Sequence, residues 1–526
     1  MVRATRASIL LILCLAAGAL LRFHALERLP PAHYRDVALT ATDAGRAAAG
    51  EPRLHYTYDE GLYANLMALV FLIFGASDWS VRAPGAAIGL LTCWGVVRLG
   101  RSLGMPRAGL WGAGLLAVSS WHVILSRSGF RAVLLPCLLA FSVALLVEGA
   151  RRSGAAKLLG GGALFGLGAH VYPAFRFAPL ILPAWLAIVW RRRPDRRRAV
   201  GRALALFGLA AVVVAAPIGV DYLRHPEHFT LPHRVVSVFS PRLAAGEWPR
   251  ILAGNVVKTA LMFHVRGDAN ARHHLPGAPL LDPLSGLLLL AGAIAVARAG
   301  GAKAPAGAGP PPLHGVVEHP GAGAAALLFG WLAAMLLPNL LSAEGVPHGL
   351  RSSGAIPALF LLAGCGMAAA ESWLAARSGP RAAAACALLA VLLAGAWTAH
   401  RCFRVWGSDP RVVEAHDGAL RAAAQVLREA PPGVERLILA NGTGFPAYGH
   451  PVETQVYLFE LRDAPPAVLG PKDGARLVLG GRPALVAFER RDPQALAVLR
   501  QLNPGAEVVE IRAPGLSPEH PVYRVN

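Results

Sequence analysis

The chain has 526 residues, of which 55% are hydrophobic and only 16% are charged, and its mean hydropathy is +0.46. A soluble domain has about 25% charged residues, so this composition excludes a string of soluble domains and a disordered chain and indicates a polytopic membrane protein. The six cysteines show no paired spacing and five of them lie in apolar runs, which excludes a disulfide scaffold.

The net charge of +20 would suit a nucleic-acid partner, but its distribution argues against one. Much of the basic excess lies in short links between apolar segments, such as Arg98, Arg101 and Arg107 and the run RRRPDRRR at residues 191–198. Alternating links of this kind follow the positive-inside rule of membrane proteins. We therefore attribute the charge to membrane orientation and predict no nucleic-acid partner.

Windows of about 20 apolar residues predict transmembrane helices at about eleven places. These lie near residues 7–21, 83–100, 108–124, 132–150, 155–171, 177–190, 199–219, 283–298, 322–341, 353–375 and 380–399. The first could be a signal peptide, but no small-residue cleavage site follows it, which favours a retained anchor. The apolar stretch 62–74 is too short for a bilayer core of about 30 Å, so we predict an interfacial or re-entrant helix.

This assignment keeps the arginine-rich links in the cytoplasm, which predicts a cytoplasmic N-terminus and an extracytoplasmic C-terminus in the plasma (inner) membrane. A transmembrane domain would cover residues 1–402 and carry two long external loops, 24–82 and 220–282. Residues 403–526 combine helical patterns at 411–429 and 493–502 with the strand-like runs ERLILAN, PALVAFE, EVVEIR and PVYRV. The predicted fold class is therefore a polytopic α-helical membrane protein with a small C-terminal external α/β domain.

Four arginines fall in predicted external links, against the orientation rule: Arg127, Arg131, Arg176 and Arg351. The planar guanidinium group suits phosphate, so these arginines together predict a site for an anionic ligand at the outer surface. Contact with lipid headgroups is the alternative for any one of them. Arg127 and Arg131 are four residues apart and would share one face of a continuous helix.

Three external acids, Asp36, Asp59 and Glu60, are candidates for catalysis. A carboxylate near an acceptor hydroxyl can act as general base, and a second can bind a cation or orient the substrate. Asp59 and Glu60 precede a predicted helix, where acids are favoured for structural reasons alone. Asp36 has no predicted helix to cap, so its position points more strongly to function.

Four segments also follow one another in an order and spacing found in a known family. They are LLRFHALERLPP followed by Asp36, GEPRLHYTYDEGLYANLMALVFLIFGASDWSVRAPGA, SSWHVILSRSGFR and PHGLRSSGAIP. Together they resemble family 39 glycosyltransferases, the protein-mannosyltransferase and aminoarabinose-transferase-like branch of the GT-C membrane fold. The resemblance covers roughly residues 1–400.

The resemblance implies a sugar donor carried on a polyprenyl phosphate and inverting transfer to a lipid, glycan or protein hydroxyl on the extracytoplasmic face. It also implies that Asp36 lies at the catalytic centre. Val37 stands where the family often has glutamate, which leaves Glu60 or Asp59 as the second acid. The lysine of the aminoarabinose branch is missing near this point, which argues against that donor.

The polar stretch at 263–283 predicts an acceptor entrance, with Asp268 and His273 as candidate residues. His170 and Tyr172 would face the same cleft or lie at the membrane interface. A divalent metal ion on Asp268, His273 and His274 is one alternative, and ordinary solvated loop histidines are the other. No other cofactor is predicted.

His348 lies three residues before Arg351 and is predicted to hydrogen-bond the donor phosphate. The sequence thus predicts a membrane glycosyltransferase, with a lipid transporter or flippase as the first alternative. A transporter would show paired halves with broken helices at the bilayer midplane, and the ionisable residues here gather instead at the predicted outer surface. A scaffold that only presents the C-terminal domain leaves the external arginines and Asp36 without a role.

Overall fold

The protein is described by a computed structural model that covers residues 2–57, 59–152, 154–192, 197–240, 243, 246–301, 321–470 and 473–526. Residues 193–196 of the arginine run, and residues 241–242 and 244–245 of the second long loop, lie outside the described residues. The chain divides into two compact units. The first contains Met1–Leu26, Leu54–Tyr63 and Arg82–Trp406, and the second contains Glu27–Arg53, Ala64–Val81 and Gly407–Asn526.

Helices dominate the chain. In chain order they are α1 (Val2–Phe23), α2 (Arg35–Ala48), α3 (Leu62–Phe74), α4 (Asp78–Ser102), α5 (Pro106–Ala117), α6 (Ser120–Arg127), α7 (Leu134–Arg152), α8 (Ala155–Leu167), α9 (Ile181–Arg192), α10 (Arg197–Arg224), α11 (Pro226–Val236), α12 (Trp248–Leu261), α13 (Pro283–Gly301), α14 (Ala322–Leu340), α15 (Ile356–Ser378), α16 (Pro380–His400), α17 (Pro410–Ala415), α18 (Gly418–Arg428), α19 (Thr454–Glu460) and α20 (Pro493–Leu502). Short 3-10 turns precede α7, α9 and α15, and a π-helical turn (Arg401–Trp406) extends α16.

All the predicted spans are helical, and eight helices of the described residues are long and apolar enough to cross a membrane. The count becomes nine if α5 and α6, which meet at a 60° bend, are taken as one span. The apolar part of α1, Ala7–Phe23, is shorter than this length, and α8 has only 13 residues, so the predicted count of eleven is not confirmed. The stretch 62–74 forms a short apolar helix of 13 residues, as predicted.

Helix α15, which is largely buried, packs closely against α5 and α13 through glycines. A Cβ atom on Gly292 of α13 would lie 1.8 Å from the carbonyl oxygen of Leu362, and one on Gly364 would lie 2.1 Å from that of Ala108. Small residues allow this backbone contact, which favours helix association where water exerts no hydrophobic force. Near the end of α15, the buried carboxylate of Glu371 pairs with Arg107 and accepts a 2.8 Å hydrogen bond from the Trp111 indole.

Two buried arginines connect α1 to the bend between α5 and α6. Arg22 donates to the carbonyl oxygens of Ala117 and Leu116 at 2.6 and 3.4 Å, which are at the end of α5. Arg127 donates in return to the carbonyls of Leu21, Arg22 and Ala25 near the end of α1, at 2.9, 2.8 and 3.2 Å. Carbonyls at a helix C-terminus have no partner within the helix, so each guanidinium group caps the end of another helix.

These contacts correct two expectations for Arg127. Helix α6 ends at Arg127, and Gly129 follows with a φ of +77°, a conformation that favours glycine. Arg127 and Arg131 therefore do not share a helix face. Arg127 has no exposed surface and its donors point to the α1 carbonyls, so its contacts serve helix capping and not an external anionic ligand.

Replacing Arg127 by alanine should destabilise the protein, because buried carbonyls at the end of α1 lose their donors. Each unsatisfied buried acceptor costs about 1–3 kcal/mol, so the loss should lower the melting temperature by several degrees in detergent or nanodiscs. The control is Arg224→Ala, since Arg224 is exposed at the end of α10. An unchanged melting temperature in Arg127→Ala would contradict the capping role.

The second unit contains a five-stranded sheet. Its strands are β1 (Glu435–Leu439), β4 (Ala467–Leu469), β5 (Ala484–Phe488), β6 (Val508–Glu510) and β7 (Val522–Val525), while β2 (Pro446–Ala447) and β3 (His450–Pro451) form a separate small ribbon. The sheet order is β4-β1-β5-β7-β6, with β1 parallel to β4 and β5, and β7 antiparallel to β5 and β6. The four strand-like runs of the sequence correspond to β1, β5, β6 and β7.

Local sequence explains much of this unit. All five residues of β5 are buried, as expected for a central strand with a continuous apolar run. Helix α20 begins after Asp492, whose side chain accepts hydrogen bonds from the amides of Gln494 and Ala495, and Pro493 occupies its first turn. The predicted helix at 411–429 is broken into α17 and α18, and Asp417 adopts a φ of +57° at the break.

The first long loop contributes α2 to the same unit. Arg35 pairs with Asp417 at 2.5 Å and with Glu453, and Tyr448 donates a 2.5 Å hydrogen bond to Asp43. Asp78 likewise accepts from Arg421 at 2.6 Å. These charged contacts fix α2 and the start of α4 to the C-terminal residues.

Asp36 lies in the first turn of α2, next to Arg35. The sequence-based argument that Asp36 has no helix to cap is therefore wrong. A carboxylate at this place is also favoured by the helix dipole, so position alone no longer distinguishes a catalytic from a structural role.

Candidate functional site

The loop before α3 forms a tight turn that presents Asp59 and Glu60 in the first unit. The amide of Tyr56 donates to the carbonyl of Asp59 at 2.9 Å, and the amide of Gly61 donates to that of Leu54 at 2.7 Å. His55 and Glu60 pair across the turn in an isolated antiparallel bridge. Glu60 is only 4% exposed, so its carboxylate needs compensating partners.

Those partners are Arg131, Arg176 and Tyr222, which come from three distant segments. Arg131, in the 3-10 turn before α7, pairs with Glu60 and with Asp59 at 2.6 Å. The Tyr222 hydroxyl donates to Glu60 Oε1 at 3.2 Å, and Arg176 Nη2 lies 3.9 Å from the same oxygen. We call these five residues the acid–arginine cluster.

Aromatic rings hold the two guanidinium groups of this cluster. Arg176 lies 4.0 Å from the ring centroid of Phe229 and 5.4 Å from that of Tyr222, and it donates to the Phe229 carbonyl at 2.7 Å. Arg131 lies 5.6 Å from the ring centroid of Tyr172. Cation–π contact adds attraction to the ion pairs and restricts the rotation of both side chains.

Burial shifts the pKa values of Asp59 and Tyr172, which lie outside the membrane-spanning helices. It raises the pKa of the Asp59 carboxyl above its ordinary value, against the lowering effect of Arg131, and Glu60 raises it further. Burial also raises the pKa of the Tyr172 hydroxyl, against the lowering effect of both Arg351 and Arg131. Tyr172 therefore interacts with a charge from the cluster and with Arg351, which belongs to a neighbouring cavity.

This cavity has a volume of about 830 Å³ and is lined by α12, the loop after it and the link before α15. Its charged lining residues are the basic Arg250, Lys258, Arg272 and Arg351 and the acidic Glu247, Asp268 and Glu344. Arg351 is oriented by a 2.9 Å hydrogen bond to the Glu344 carbonyl. We call it the basic cavity, because four cationic side chains outnumber three acids and the acid Asp268 is occupied by other partners.

Asp268 accepts hydrogen bonds from the amides of Asn270 and Gly349, at 2.8 and 2.7 Å, and lies 2.7 Å from His273 Nδ1. With all these contacts the carboxylate fixes the loop and holds the proton of His273 on Nδ1. The amide of Arg351 donates to His348 Nδ1 at 3.3 Å, which leaves the proton of His348 on Nε2. Burial lowers the pKa of both histidines, so each is a neutral ring at neutral pH.

The predicted metal set of Asp268, His273 and His274 is corrected by the structure. His274 Nε2 lies 2.9 Å from the Ser120 hydroxyl, and the third member beside Asp268 and His273 is His348. The Asp268 carboxylate already accepts from three donors and the cavity around it is basic. This environment suits an anion better than a cation.

The structure thus brings several predicted residues together and separates others. Asp59, Glu60, Arg131 and Arg176 form the acid–arginine cluster, with Tyr172 beside it, while Asp268, His348 and Arg351 line the basic cavity with His273 behind. His170 is buried, and its Nε2 lies 2.9 Å from the Val214 carbonyl of α10, which indicates a packing role. Asp36 belongs to the second unit.

Sequence reasoning missed Tyr222, Phe229, Arg250, Lys258 and Arg272. All five lie within the second long loop, residues 220–282, where no periodic pattern of apolar residues indicates which side chains face the protein. The signal available was compositional, since that loop has basic and aromatic residues close to predicted span ends.

Residues 62–220 match the family model described as dolichyl-phosphate-mannose-protein mannosyltransferase. A comparison with curated protein sequences finds no significant match. Among solved structures, ArnT from Cupriavidus metallidurans bound to undecaprenyl phosphate is similar with a TM-score of 0.60 and 15% identity, over 98% of this chain and 97% of that one. The Archaeoglobus fulgidus oligosaccharyltransferase in complex with Zn and sulfate is similar with a TM-score of 0.54 and 10% identity, over 97% and 72%.

The chain therefore has a polytopic membrane fold of the class that these glycosyltransferases share, and the predicted fold class is confirmed. The predicted resemblance to protein mannosyltransferases is confirmed over residues 62–220. This segment contains Arg131, Tyr172 and Arg176 of the site, whereas Asp36 and Arg351 lie outside it.

Replacing Asp59 by asparagine should raise the melting temperature at pH 7.5. Because the folded-state pKa of Asp59 is raised, the charged form is penalised above that pKa, and the penalty disappears as pH falls below it and the carboxyl is protonated. The neutral amide avoids the penalty, so the gain should shrink towards acid pH. A variant less stable than wild type at pH 7.5, with Asp473→Asn as a surface control, would show that the pair with Arg131 outweighs burial.

Proposed function

We propose that the protein is a multi-pass membrane glycosyltransferase that moves a sugar from a polyprenyl-phosphate donor to a hydroxyl acceptor. The acceptor is a lipid, a glycan or a protein on the extracytoplasmic face, and the transfer inverts the configuration of the sugar. The observation that carries the proposal is the basic cavity with its four cationic lining residues. The match of residues 62–220 to the mannosyltransferase family supports it.

The basic cavity is suited to the donor phosphate. Its volume of about 830 Å³ falls within the range of small-molecule sites, about 300–1,000 Å³. Arg250, Lys258, Arg272 and Arg351 supply positive charge, and the Nε2–H of His348 supplies a neutral donor whose proton position is fixed by the Arg351 amide. Charge develops on the phosphate oxygen as the bond to the sugar breaks, so preorganised cations there lower the barrier.

The acid–arginine cluster is suited to orientation rather than proton transfer at Glu60. Two guanidinium groups and a tyrosine hydroxyl already contact the Glu60 carboxylate, which holds it in one place within the cluster. Burial raises the pKa of the Asp59 carboxyl, and Asp59 has one arginine partner among the described contacts. We assign Asp59 the role of the second acid, which binds and orients the acceptor.

Asp36 stays the proposed general base, on the strength of the family resemblance. The acceptor hydroxyl would lose its proton to a carboxylate as its oxygen bonds to the anomeric carbon, and the polyprenyl phosphate would leave with the electron pair of the broken bond.

The remaining features of the proposal concern orientation. A cytoplasmic N-terminus, an extracytoplasmic C-terminal region and residence in the plasma membrane follow from the positive-inside rule. A transporter is the weaker alternative, since the similar folds and the matching family are those of transferases.

Arg351→Ala should lower the rate of sugar transfer by about 100-fold or more, as expected for loss of a charged group that stabilises the leaving phosphate. Proteoliposomes would contain a panel of radiolabelled undecaprenyl-phosphate sugars and envelope extracts as acceptors. Binding of undecaprenyl phosphate, measured by thermal shift, should weaken in the same variant. Arg377→Ala is the matched control, because Arg377 is exposed at the end of α15. Equal transfer by Arg351→Ala and wild type would remove the basic cavity from the mechanism.

Asp36→Asn should abolish transfer while leaving the binding of undecaprenyl phosphate and the melting temperature close to wild type. This outcome is expected because a general base acts on the acceptor and the amide keeps the shape of the side chain. If the variant transfers sugar normally, Asp36 is not the base. If lipid moves across the bilayer without transfer, the transporter alternative is favoured.

A further inference from the structure

A second group of polar side chains lies beside the acid–arginine cluster and has no part in the mechanism above. It consists of His55, in the turn that precedes Glu60, Asp221, near the end of α10, and His228, in α11. One possible ligand atom from each of the three residues lies within 4.8 Å of the others, and all three side chains are half-buried. Two imidazoles and a carboxylate from two distant stretches of the chain are thus collected around one point.

The internal contacts of this group leave one ring nitrogen unused. The rings of His55 and His228 stack with centroids 3.9 Å apart and planes inclined by 10°. His228 Nδ1 lies 2.8 Å from Asp221 Oδ2, a hydrogen bond that keeps this pair in place. Nδ1 of His55, by contrast, is buried and has no hydrogen-bond partner among the residues that the structure describes. A buried polar atom without a partner carries a free-energy cost that a ligand would remove.

The charge around this group favours a cation. Asp221 belongs to the group, and the two acids Glu60 and Asp221 act on His55 electrostatically together with one cation, Arg131. A neutral imidazole can bind a metal ion without first losing a proton. This environment contrasts with that of Asp268 and His348, which line the basic cavity together with four cationic residues.

We propose that His55, Asp221 and His228 bind a divalent ion of the zinc type. Two imidazole nitrogens and one carboxylate oxygen are a common set for Zn²⁺, with the fourth position left to water. Tetrahedral ligands at about 2.1 Å from the ion lie about 3.4 Å apart. Ligand atoms within 4.8 Å of one another therefore need side-chain rotations that close on the order of 1 Å.

The ion would position Glu60, and this second part rests on the proposed function. His55 pairs with Glu60 across the turn, and Asp221 directly precedes Tyr222, whose hydroxyl donates to Glu60. An ion that joins His55 to Asp221 would fix both segments against each other and so hold the Glu60 carboxylate opposite Arg131. His55 and Asp221 are thus positioning residues, since neither touches the reacting atoms.

The test is metal binding itself, which needs no sugar donor. Purified full-length protein in nanodiscs would be stripped with a chelator and titrated with Zn²⁺ by calorimetry and with Co²⁺ by its visible absorption. We expect one bound ion for each chain, a tetrahedral Co²⁺ spectrum and a higher melting temperature with Zn²⁺. His55→Ala and His228→Ala should each weaken binding by at least about tenfold and remove the thermal shift, because losing a ligand costs more than losing an outer partner.

Two matched variants distinguish this site from its neighbours. His225→Ala removes an exposed histidine whose ring lies 5.1 Å from that of His228, and His348→Ala removes a member of the basic cavity. Both should bind Zn²⁺ as wild type does. Absence of binding by wild type, or binding lost in His348→Ala and kept in His55→Ala, would overturn the proposal. The more conservative His55→Gln serves if the alanine variant fails to fold.

Failure of this inference and failure of the proposed function give different results. If Zn²⁺ binds as expected but no sugar is transferred by any preparation, the metal site stands and the transferase proposal falls. If transfer is normal in chelated protein and in His55→Ala, while Zn²⁺ still binds wild type, the positioning role falls and the site remains. Absence of Zn²⁺ binding together with normal transfer removes the site alone.

Discussion

The carboxylate of Glu60 is the point at which four segments of the first unit meet. This carboxylate is nearly buried, and Arg131, Arg176 and Tyr222 reach it from the turn before α7, the turn before α9 and the end of α10. Removing one partner would leave a buried charge uncompensated, so each of these segments is fixed by the need to satisfy the others. The short turn before α3 and the aromatic rings around Arg176 belong to the same arrangement.

Arginine has three distinct uses in this protein, and only burial and partners separate them. Arg22 and Arg127 are fully buried and donate to carbonyls at helix ends. Arg131 and Arg176 neutralise acids, while Arg351 faces a cavity with three other cations. Guanidinium suits all three uses, because it stays charged and presents several donors in a plane. The residue type alone therefore cannot assign the role.

Much of the fold could be predicted from sequence, because hydrophobic length and period are local properties. The apolar windows located the long helices of the first unit, and the strand-like runs located β1, β5, β6 and β7 of the second. The bend at Gly129 was different. Four residues separate Arg127 from Arg131, a spacing that predicts a shared helix face, yet one glycine with positive φ ends the helix between them. The φ angle of Gly129 therefore determines the directions of the Arg127 and Arg131 side chains. The sequence shows that residue 129 is glycine, but it does not show which φ angle the glycine adopts.

In the candidate site, contacts between residues far apart in the sequence could not be predicted either. Asp59, Glu60, Arg131, Arg176 and Arg351 were identified because charged residues near span ends are unusual. Tyr222 and Arg272 were not, since in a polar loop such residues are ordinary and only the fold shows what they touch. Arg35 gives a further case, because its partners Asp417 and Glu453 lie 382 and 418 residues away in the chain. No periodicity connects positions so far apart.

Two groups of residues in the first unit, each with two histidines and one aspartate, differ in the charges that surround them. Both contain two imidazoles and one aspartate with ligand atoms close together, so donor chemistry alone would assign a metal ion to each. Asp268, however, is saturated by two amides and His273, and its cavity is lined by Arg250, Lys258, Arg272 and Arg351. Asp221 has His228 as its hydrogen-bond partner in the group, and the acidic Glu60 acts on the adjacent His55. Identical ligand sets thus favour ligands of opposite charge, an anion in the first and a cation in the second, because the surrounding charges decide which ion is stabilised.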